Sequence, residues 1–253
     1  MATPYFQLRF DSVASTQDVA RENLISPRLR GEYRPQAGEG GTDQPTSTSP
    51  GSVGPPLKGG TIPVVVIAAG QTAGRGRGGA HWQTADRALA ASLALRAEDD
   101  QRPISLMAGV AVTRLGLEVE LKWPNDVMLG ECKVGGILVE KIGDVVVIGL
   151  GLNLWWPDAP DGVCALHRDD PGESRHVELG ALWGAETMRL LEATGWPRDE
   201  YKSLCSTLGR EVTWEPEGTG RALDVDNDGA LVVAADGATF TVSSGAVRHL
   251  RPS

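Results

Sequence analysis

The sequence predicts an α+β protein: a larger portion with a mixed or antiparallel sheet, then a small all-β unit. Three observations predict it. Strand-length apolar runs alternate with isolated helical segments over the first two hundred residues. Three strands follow one another closely between residues 127 and 150, as in an antiparallel meander. The last fifty residues then change to short alternating runs broken by Gly and Asp, the pattern of a small β-barrel. With 253 residues, 41% of them hydrophobic, the chain can hold one sizeable core or a main domain with a small companion, placed here at residues 1–200 and 204–253.

The first strand is Leu8-Arg9-Phe10. Ser15-Thr16-Gln17-Asp18 opens a helix, with Ser15 and Asp18 at capping-box spacing and Val19, Ala20, Asn23 and Leu24 behind them; Pro27 bounds its end. Residues 31–60 hold eight Gly, five Pro, three Ser and three Thr, too little apolar surface to offset the entropy of ordering, so a flexible insertion is expected over residues 28–60. Residues 62–69 are continuously apolar and β-branched, hence a buried strand, and feed into a glycine-rich loop at 70–79. Residues 88–95 form another strand. Residues 103–115 form a helix with Pro103 in its first turn and Gly116 as its stop. Strands at 119–122, 127–129, 133–140 and 145–150 follow, with turns at Trp123-Pro124-Asn125-Asp126 and Gly130-Glu131. An amphipathic helix is expected over 177–194, and strands at 210–214, 221–225, 230–234 and 239–242.

A net charge of -9 argues against a generally basic nucleic-acid binder. No apolar run reaches 18 residues and the N-terminus lacks the pattern of a secretory signal, so a cytoplasmic protein without membrane association is expected. Cys132, Cys164 and Cys205 show no short pairing or metal-ligand spacing and are expected to be reduced thiols.

Two clusters carry chemistry. In Gly74-Arg75-Gly76-Arg77-Gly78-Gly79, glycines let backbone N–H groups approach an anion while two arginines supply charge and bidentate donors; the plain alternative is an exposed Gly-Arg loop. In Lys122-Trp123-Pro124-Asn125-Asp126 and Lys133-Val134-Gly135-Gly136-Ile137-Leu138, an amide and a carboxylate sit beside two cations, a grouping that suits an anionic nucleotide with Mg²⁺. Paired glycines within a strand mark a bulge or a ligand's close approach rather than a plain surface hairpin. Taken singly, Ser15-Thr16-Gln17 reads as a helix cap, Gln71 as a loop residue, Trp82 as core and Asn153 as a turn former.

In this order, Ser15-Thr16-Gln17, Gln71 with Gly74-Arg75-Gly76-Arg77, Trp82, Lys122-Trp123-Pro124-Asn125-Asp126, Lys133 with Gly135-Gly136, and Gly149-Leu150-Gly151-Leu152-Asn153 resemble the biotin protein ligases, or biotin–[acetyl-CoA-carboxylase] ligases, over most of the chain outside residues 28–60. The resemblance implies a mixed α/β catalytic domain with an SH3-like C-terminal domain. It implies that biotin and ATP form biotinyl-5′-AMP, with Mg²⁺, and that a lysine of a biotin carboxyl carrier domain then takes the biotinyl group. It places Ser15, Thr16, Gln17, Gln71, Gly74, Arg75, Gly76, Arg77, Lys133, Gly135 and Gly136 around biotin. Arg75, Arg77, Trp82, Asn125, Lys133 and Asn153 fall around ATP, and Lys133, Arg75, Arg77 and Asp126 in catalysis, with Asp126 acting on the incoming lysine. No protein side chain is assigned to a metal. Alternatives are a catalytically impaired biotin- or adenylate-binding regulator and a lipoate ligase-like enzyme, although the latter group's serine-glycine-glycine-rich loop is missing.

Three departures stand out: Ala80 where many relatives carry arginine, the insertion, and Ala85-Asp86-Arg87. Only fourteen residues precede Ser15, too few for the winged helix-turn-helix that some relatives use on DNA, so no direct DNA binding is expected. The expected state is a monomer or homodimer.

Overall fold

The computed structural model describes residues 5–25, 62–97, 100–214, 218–243 and 247–250. The insertion expected over 28–60 lies outside the described residues. Seven strands make one mixed sheet: β1 (Phe6–Val13), β2 (Val64–Gln71), β3 (Arg87–Arg96), β4 (Glu120–Lys122), β5 (Asp126–Leu129), β6 (Cys132–Ile142) and β7 (Val145–Trp155). Their order is β1-β2-β3-β7-β6-β5-β4. Only the β1–β2 pair is parallel, joined through α1 (Thr16–Ile25); the other ladders of this sheet are antiparallel.

Both faces of the sheet are covered, which explains why β2 is apolar without alternation. Val64 and Val66 face α1, in a cluster with Ala20 and Leu24. Val65 and Ile67 face the opposite side, where α2 (Ile104–Thr113) and α3 (Arg175–Glu192) pack. Gly180 and Gly184 let α3 lie close on β2, since a Cβ at Gly180 would stand 2.9 Å from Ile67 Cγ2. Arg102 closes the end of α3, donating to the carbonyls of Leu191 at 2.8 Å and Ala193 at 2.7 Å, groups that a helix end leaves unpaired.

A short helix, α4 (Arg198–Leu204), leads into a second, antiparallel sheet of β8 (Glu211–Trp214), β9 (Gly218–Val225), β10 (Leu231–Ala235), β11 (Ala238–Val242) and β12 (Val247–His249), in the order β11-β10-β9-β8-β12. The sheets share one apolar core, in which Val212, Val225, Leu231 and Val247 join Leu121, Trp123 and Tyr201. Arg198 and Lys202 of α4 reach back to Asp224 at 2.8 and 2.7 Å. No helix among the described residues is long and apolar enough to cross a membrane.

The expected elements are present, with three differences. β7 runs to Trp155 rather than stopping at Leu150: it lies between β3 and β6, whose ladders carry it through Gly149 and Gly151. Neither α4 nor β12 was expected, at seven and three residues too short for periodicity to reveal. The third difference overturns the reduced-thiol expectation: Cys132 and Cys164 form a disulfide, with Cα atoms 5.8 Å apart, and only Cys205 is free among the described cysteines. The pair is 32 residues apart in sequence, and it is the return of the chain after β7 onto the start of β6 that brings it together.

Candidate active site

The first wall of the site grows from the end of β1 and the start of α1. Ser15 caps the helix, its Oγ accepting the Asp18 N–H at 3.4 Å, and Ser15, Thr16 and Gln17 are all buried. The Gln71 Oε1 accepts from Thr16 N at 2.8 Å and from Thr16 Oγ1 at 3.0 Å. Having donated there, the Thr16 hydroxyl accepts from Ser92 Oγ at 2.8 Å. These bonds fix the Gln71 amide so that its Nε2 is the donor end. Gln17 Nε2 donates to Leu138 O at 3.0 Å, tying α1 to β6 across Gly149.

The glycine-rich loop is a small hairpin closed by an Arg75–His81 bridge, with Gly76 N donating to Ala80 O at 2.7 Å and Trp82 N to Gly74 O at 3.0 Å. Arg75 forks onto Asp18 with bonds of 2.7 and 3.1 Å and reaches Glu140 at 3.2 Å. The Asp18 carboxylate raises the Arg75 pKa, and Arg75 holds the Asp18 carboxyl below its usual range. Arg77 donates to Asn125 Oδ1 at 3.1 Å. The Trp82 indole lies on β7, where a Cβ on Gly151 would stand 2.7 Å from its Cζ2; a glycine there is a requirement of this packing.

The opposite wall is the turn after β4. Its Trp123–Pro124 peptide is cis. Asn125 spans to β6, donating from Nδ2 to Ile137 O at 3.0 Å and accepting Ile137 N on its carbonyl at 2.9 Å. Lys133 Nζ meets Asp126 Oδ1 at 2.5 Å. The Lys133 backbone is held by the chain beyond β7: its N–H goes to Gly162 O at 3.0 Å and its carbonyl accepts Cys164 N at 2.9 Å, beside the disulfide. A Cβ on Gly135 would stand 2.4 Å from Leu152 Cδ2, so that glycine serves the β6–β7 contact.

A cavity of about 310 Å³ opens between the walls. Thr16, Gln17, Gln71, Arg75, Gly76, Arg77, Trp82, Asn125, Asp126, Lys133 and Gly136 all line it. Four expected site residues do not: Ser15 caps α1, Gly74 packs under Trp82 and Gln71, Gly135 packs against β7, and Asn153 is buried in β7 with its Nδ2 on Cys164 O at 3.0 Å. The sequence reading missed Ser92, Asp18, Glu140 and Val247. Ser92 had a signal, a lone hydroxyl inside an apolar strand; Asp18 reads from sequence only as the capping-box partner of Ser15, Glu140 only as the end of a strand, though both hold Arg75, and Val247 comes from the second sheet.

Three cations, Arg75, Arg77 and Lys133, and three amides, Gln17, Gln71 and Asn125, gathered with the Asp126 carboxylate suit a ligand with a polar neutral head and anionic groups. Residues 61–153 match the model of the biotin/lipoate A/B protein ligase family. The biotin–[acetyl-CoA-carboxylase] ligase of Mycobacterium tuberculosis is 35% identical over 219 residues, covering 74% of this chain and 79% of the relative. The enzyme of the same name from Paracoccus denitrificans is 30% identical over 200 residues, covering 66% of this chain and 82% of the relative. The chain belongs to the biotin protein ligase family. Its fold matches that of the biotin protein ligase from Aquifex aeolicus solved in complex with biotin and ATP, at a TM-score of 0.70 and 21% identity over 98% of this chain and 99% of that one.

Among the described residues no three His, Cys, Asp or Glu side chains gather as a metal cage. A Mg²⁺ ion held mainly by nucleotide phosphates and waters needs only one or two protein oxygens. Asn125 and Asp126 supply such hard donors on the cavity wall.

Proposed function

We propose that this ligase joins the biotin carboxylate to the α-phosphate of ATP, releasing pyrophosphate, and then passes the biotinyl group to a lysine of a biotin carboxyl carrier domain, releasing AMP. The observation that carries the reading is the meeting, in one cavity, of a fixed amide-hydroxyl cluster with a lysine and two arginines that lie far apart in sequence.

Gln71, held by Thr16 and Ser92, presents its amide N–H groups to the carbonyl of the ureido head, and Gln17 lies alongside. Trp82 stacks on the adenine. Lys133, Arg75 and Arg77 offset the repulsion between carboxylate and phosphate and the charge that develops on the phosphoryl oxygens. Mg²⁺, with Asn125 and Asp126 to meet it, supplies further neutralisation of the phosphates when bound. In the second step Asp126 orients the incoming lysine and takes its proton, since an amine of unperturbed pKa roughly 10.4 must lose one before attacking. Asn153 acts on the nucleotide at one remove, through the Cys164 segment. The reaction consumes ATP, which suits a cytoplasmic location; there the Cys132–Cys164 pair faces reducing conditions. The chain acts without contacting DNA, as a monomer or homodimer, and residues 204–253 are its SH3-like C-terminal domain, which carries the second sheet.

Incubation with ATP, Mg²⁺, labelled biotin and an unmodified carrier domain tests this. Biotinyl-AMP and then labelled carrier are expected. Biotinyl-AMP with no labelled carrier would favour a binding regulator, and the absence of adenylate would end the ligase reading.

A further inference from the structure

The turn that carries Asn125 and Asp126 is gripped from behind by residues that the two chemical steps do not use. β4 is the last strand of its sheet, and residues 205–207 cover its outer edge. Cys205 bridges Leu121, and Ser206 N donates to Leu121 O at 2.8 Å. The next donor along, Trp123 N–H, meets a hydroxyl in place of a carbonyl: Thr207 Oγ1 at 3.0 Å, on a side chain with no exposed surface. A hydroxyl that accepts from an amide keeps its own hydrogen for a second acceptor. His249 Nε2 of β12 lies 3.0 Å away. With the ring neutral and its proton on Nδ1, the relay runs from Trp123 N–H to Thr207 Oγ1 and from Thr207 O–H to His249 Nε2; a ring protonated on Nε2 would instead donate to the same hydroxyl.

The surroundings favour that neutral ring. Burial, reinforced by Lys122 and Arg210, lowers the His249 pKa to about 4 against the opposing pull of Glu131 and Asp126. The second sheet also holds the other end of the same tryptophan, whose Nε1 donates to Gly229 O at 2.9 Å, and β12 adds Val247 to the cavity wall. Trp123 is therefore pinned at both its backbone nitrogen and its indole nitrogen, two residues before Asn125 and three before Asp126.

We infer that Thr207, oriented by His249, is a positioning residue for the adenylate-forming step, setting the turn so that Asn125 meets Arg77 and Asp126 meets Lys133. The inference rests on the ligase reading and deepens it: the second sheet takes part in catalysis by fixing a wall of the site. Reacting groups tolerate little displacement, since a misplacement of about 1 Å costs on the order of a hundredfold in rate. A small relaxation of the turn therefore lowers turnover before it disturbs the biotin pocket on the far wall.

The test uses the full chain and measures biotinyl-AMP formation, with kcat and the KM for biotin and for ATP, alongside thermal unfolding. Thr207→Val keeps the shape and removes both bonds. It is expected to fold, to lose about tenfold in kcat, and to keep its KM for biotin within about twofold, as removal of a transition-state contact does. Thr207→Ser restores the hydroxyl and should recover kcat to within about threefold of the parent. His249→Leu should lose about threefold, the size of one hydrogen bond, and His249→Gln, which keeps an acceptor, should regain it. A folded Thr207→Val protein with parental kcat, or a serine variant that rescues stability but not kcat, overturns the inference. If Thr207→Val does not fold, the His249 pair decides, and equal kcat in His249→Leu and His249→Gln overturns it. An unsubstituted chain that makes no biotinyl-AMP defeats the ligase reading and this inference together; an active chain with an indifferent Thr207 defeats this inference alone.

Discussion

The two walls of the cavity are held in place by different kinds of interaction. The loop wall, residues 74–82, rests on contacts that water can reach: the side chains of Arg75 and Asp18 are 36% and 35% exposed, and Glu140 is 33% exposed. The turn wall, residues 121–137, is tied by bonds that water does not reach, from Thr207 and Gly229 to the two nitrogens of Trp123. It is also tied by backbone pairing of Lys133 with the segment that the Cys132–Cys164 disulfide fastens. Exposed ion pairs contribute about 0–1 kcal/mol and exchange partners readily, whereas a buried donor left alone costs about 1–3 kcal/mol. The loop wall can thus trade its carboxylates for a ligand's anionic groups, while the turn wall holds Lys133 and Asp126 in register.

The largest effect expected from breaking this arrangement is at Lys133. Lys133→Ala should lower biotinyl-AMP formation by about a hundredfold or more, because a fixed cation at developing charge is worth several kcal/mol. Its stability should change by less than about 1 kcal/mol, since the ion pair with Asp126 is partly exposed, at 36% and 23%. Turnover within tenfold of the parent would refute the assignment.

The disulfide distinguishes the walls in stability. Its reduction releases a 32-residue closure and should lower the unfolding free energy by about 2–4 kcal/mol, read from denaturant melts with and without reductant. Adenylation at 25 °C should stay within about twofold, since the two backbone bonds of Lys133 survive the loss of the sulfur link. A rate that collapses on reduction while stability holds would show that the sulfur link itself places the lysine.

Most of the loop wall was legible in the sequence and little of what supports the turn wall was. Gly74-Arg75-Gly76-Arg77 declares itself because glycines and arginines in alternation fit no regular element. Trp123 to Asp126 was legible as a turn, but nothing local says that Thr207 and His249, more than eighty residues on, hold it. Side chain to backbone bonds between distant segments leave no periodicity to read. The cysteine pair failed for the same reason, being defined by the return of a loop after β7. α4 had signals that were passed over: Pro197 before it, Asp199 and Glu200 in its first turn, Lys202 in its last. Asn153 reads alone as a turn former and is placed at the nucleotide only by the resemblance, whereas the ladders on both sides of β7 carry it into the interior.

Acid provides a smaller perturbation, aimed at the turn wall. His249 titrates at about 4 in the folded chain and near 6.5 unfolded, so the unfolded chain takes up its proton first as pH falls. Stability from this group is complete above about pH 6.5, declines between 6.5 and 4, and is level below. Half-burial screens the shift, and the loss should be on the order of 1–2 kcal/mol. His167 and His176 are also shifted down, so the difference between the parent and His249→Gln, measured by denaturant midpoints at pH 7 and 4.5, isolates the contribution. An identical pH dependence in the two proteins would show that the ring does not sit in the relay.

The smallest effect should come from Asp18, and its sign matters more than its size. The Arg75 guanidinium depresses the Asp18 carboxyl, so this pair contributes stability above the usual carboxylate range and loses it as pH falls below that range. Asp18→Asn should lower stability by less than about 1 kcal/mol, counting both the exposed pair and the carboxylate's favourable place in the first turn of α1. If the loop wall trades partners, the variant releases Arg75 from a competitor, and the KM for ATP should stay level or improve by up to about threefold. If instead Asp18 is what aims Arg75, the same substitution raises that KM by tenfold or more, and the loop wall would then be as preorganised as the wall it faces.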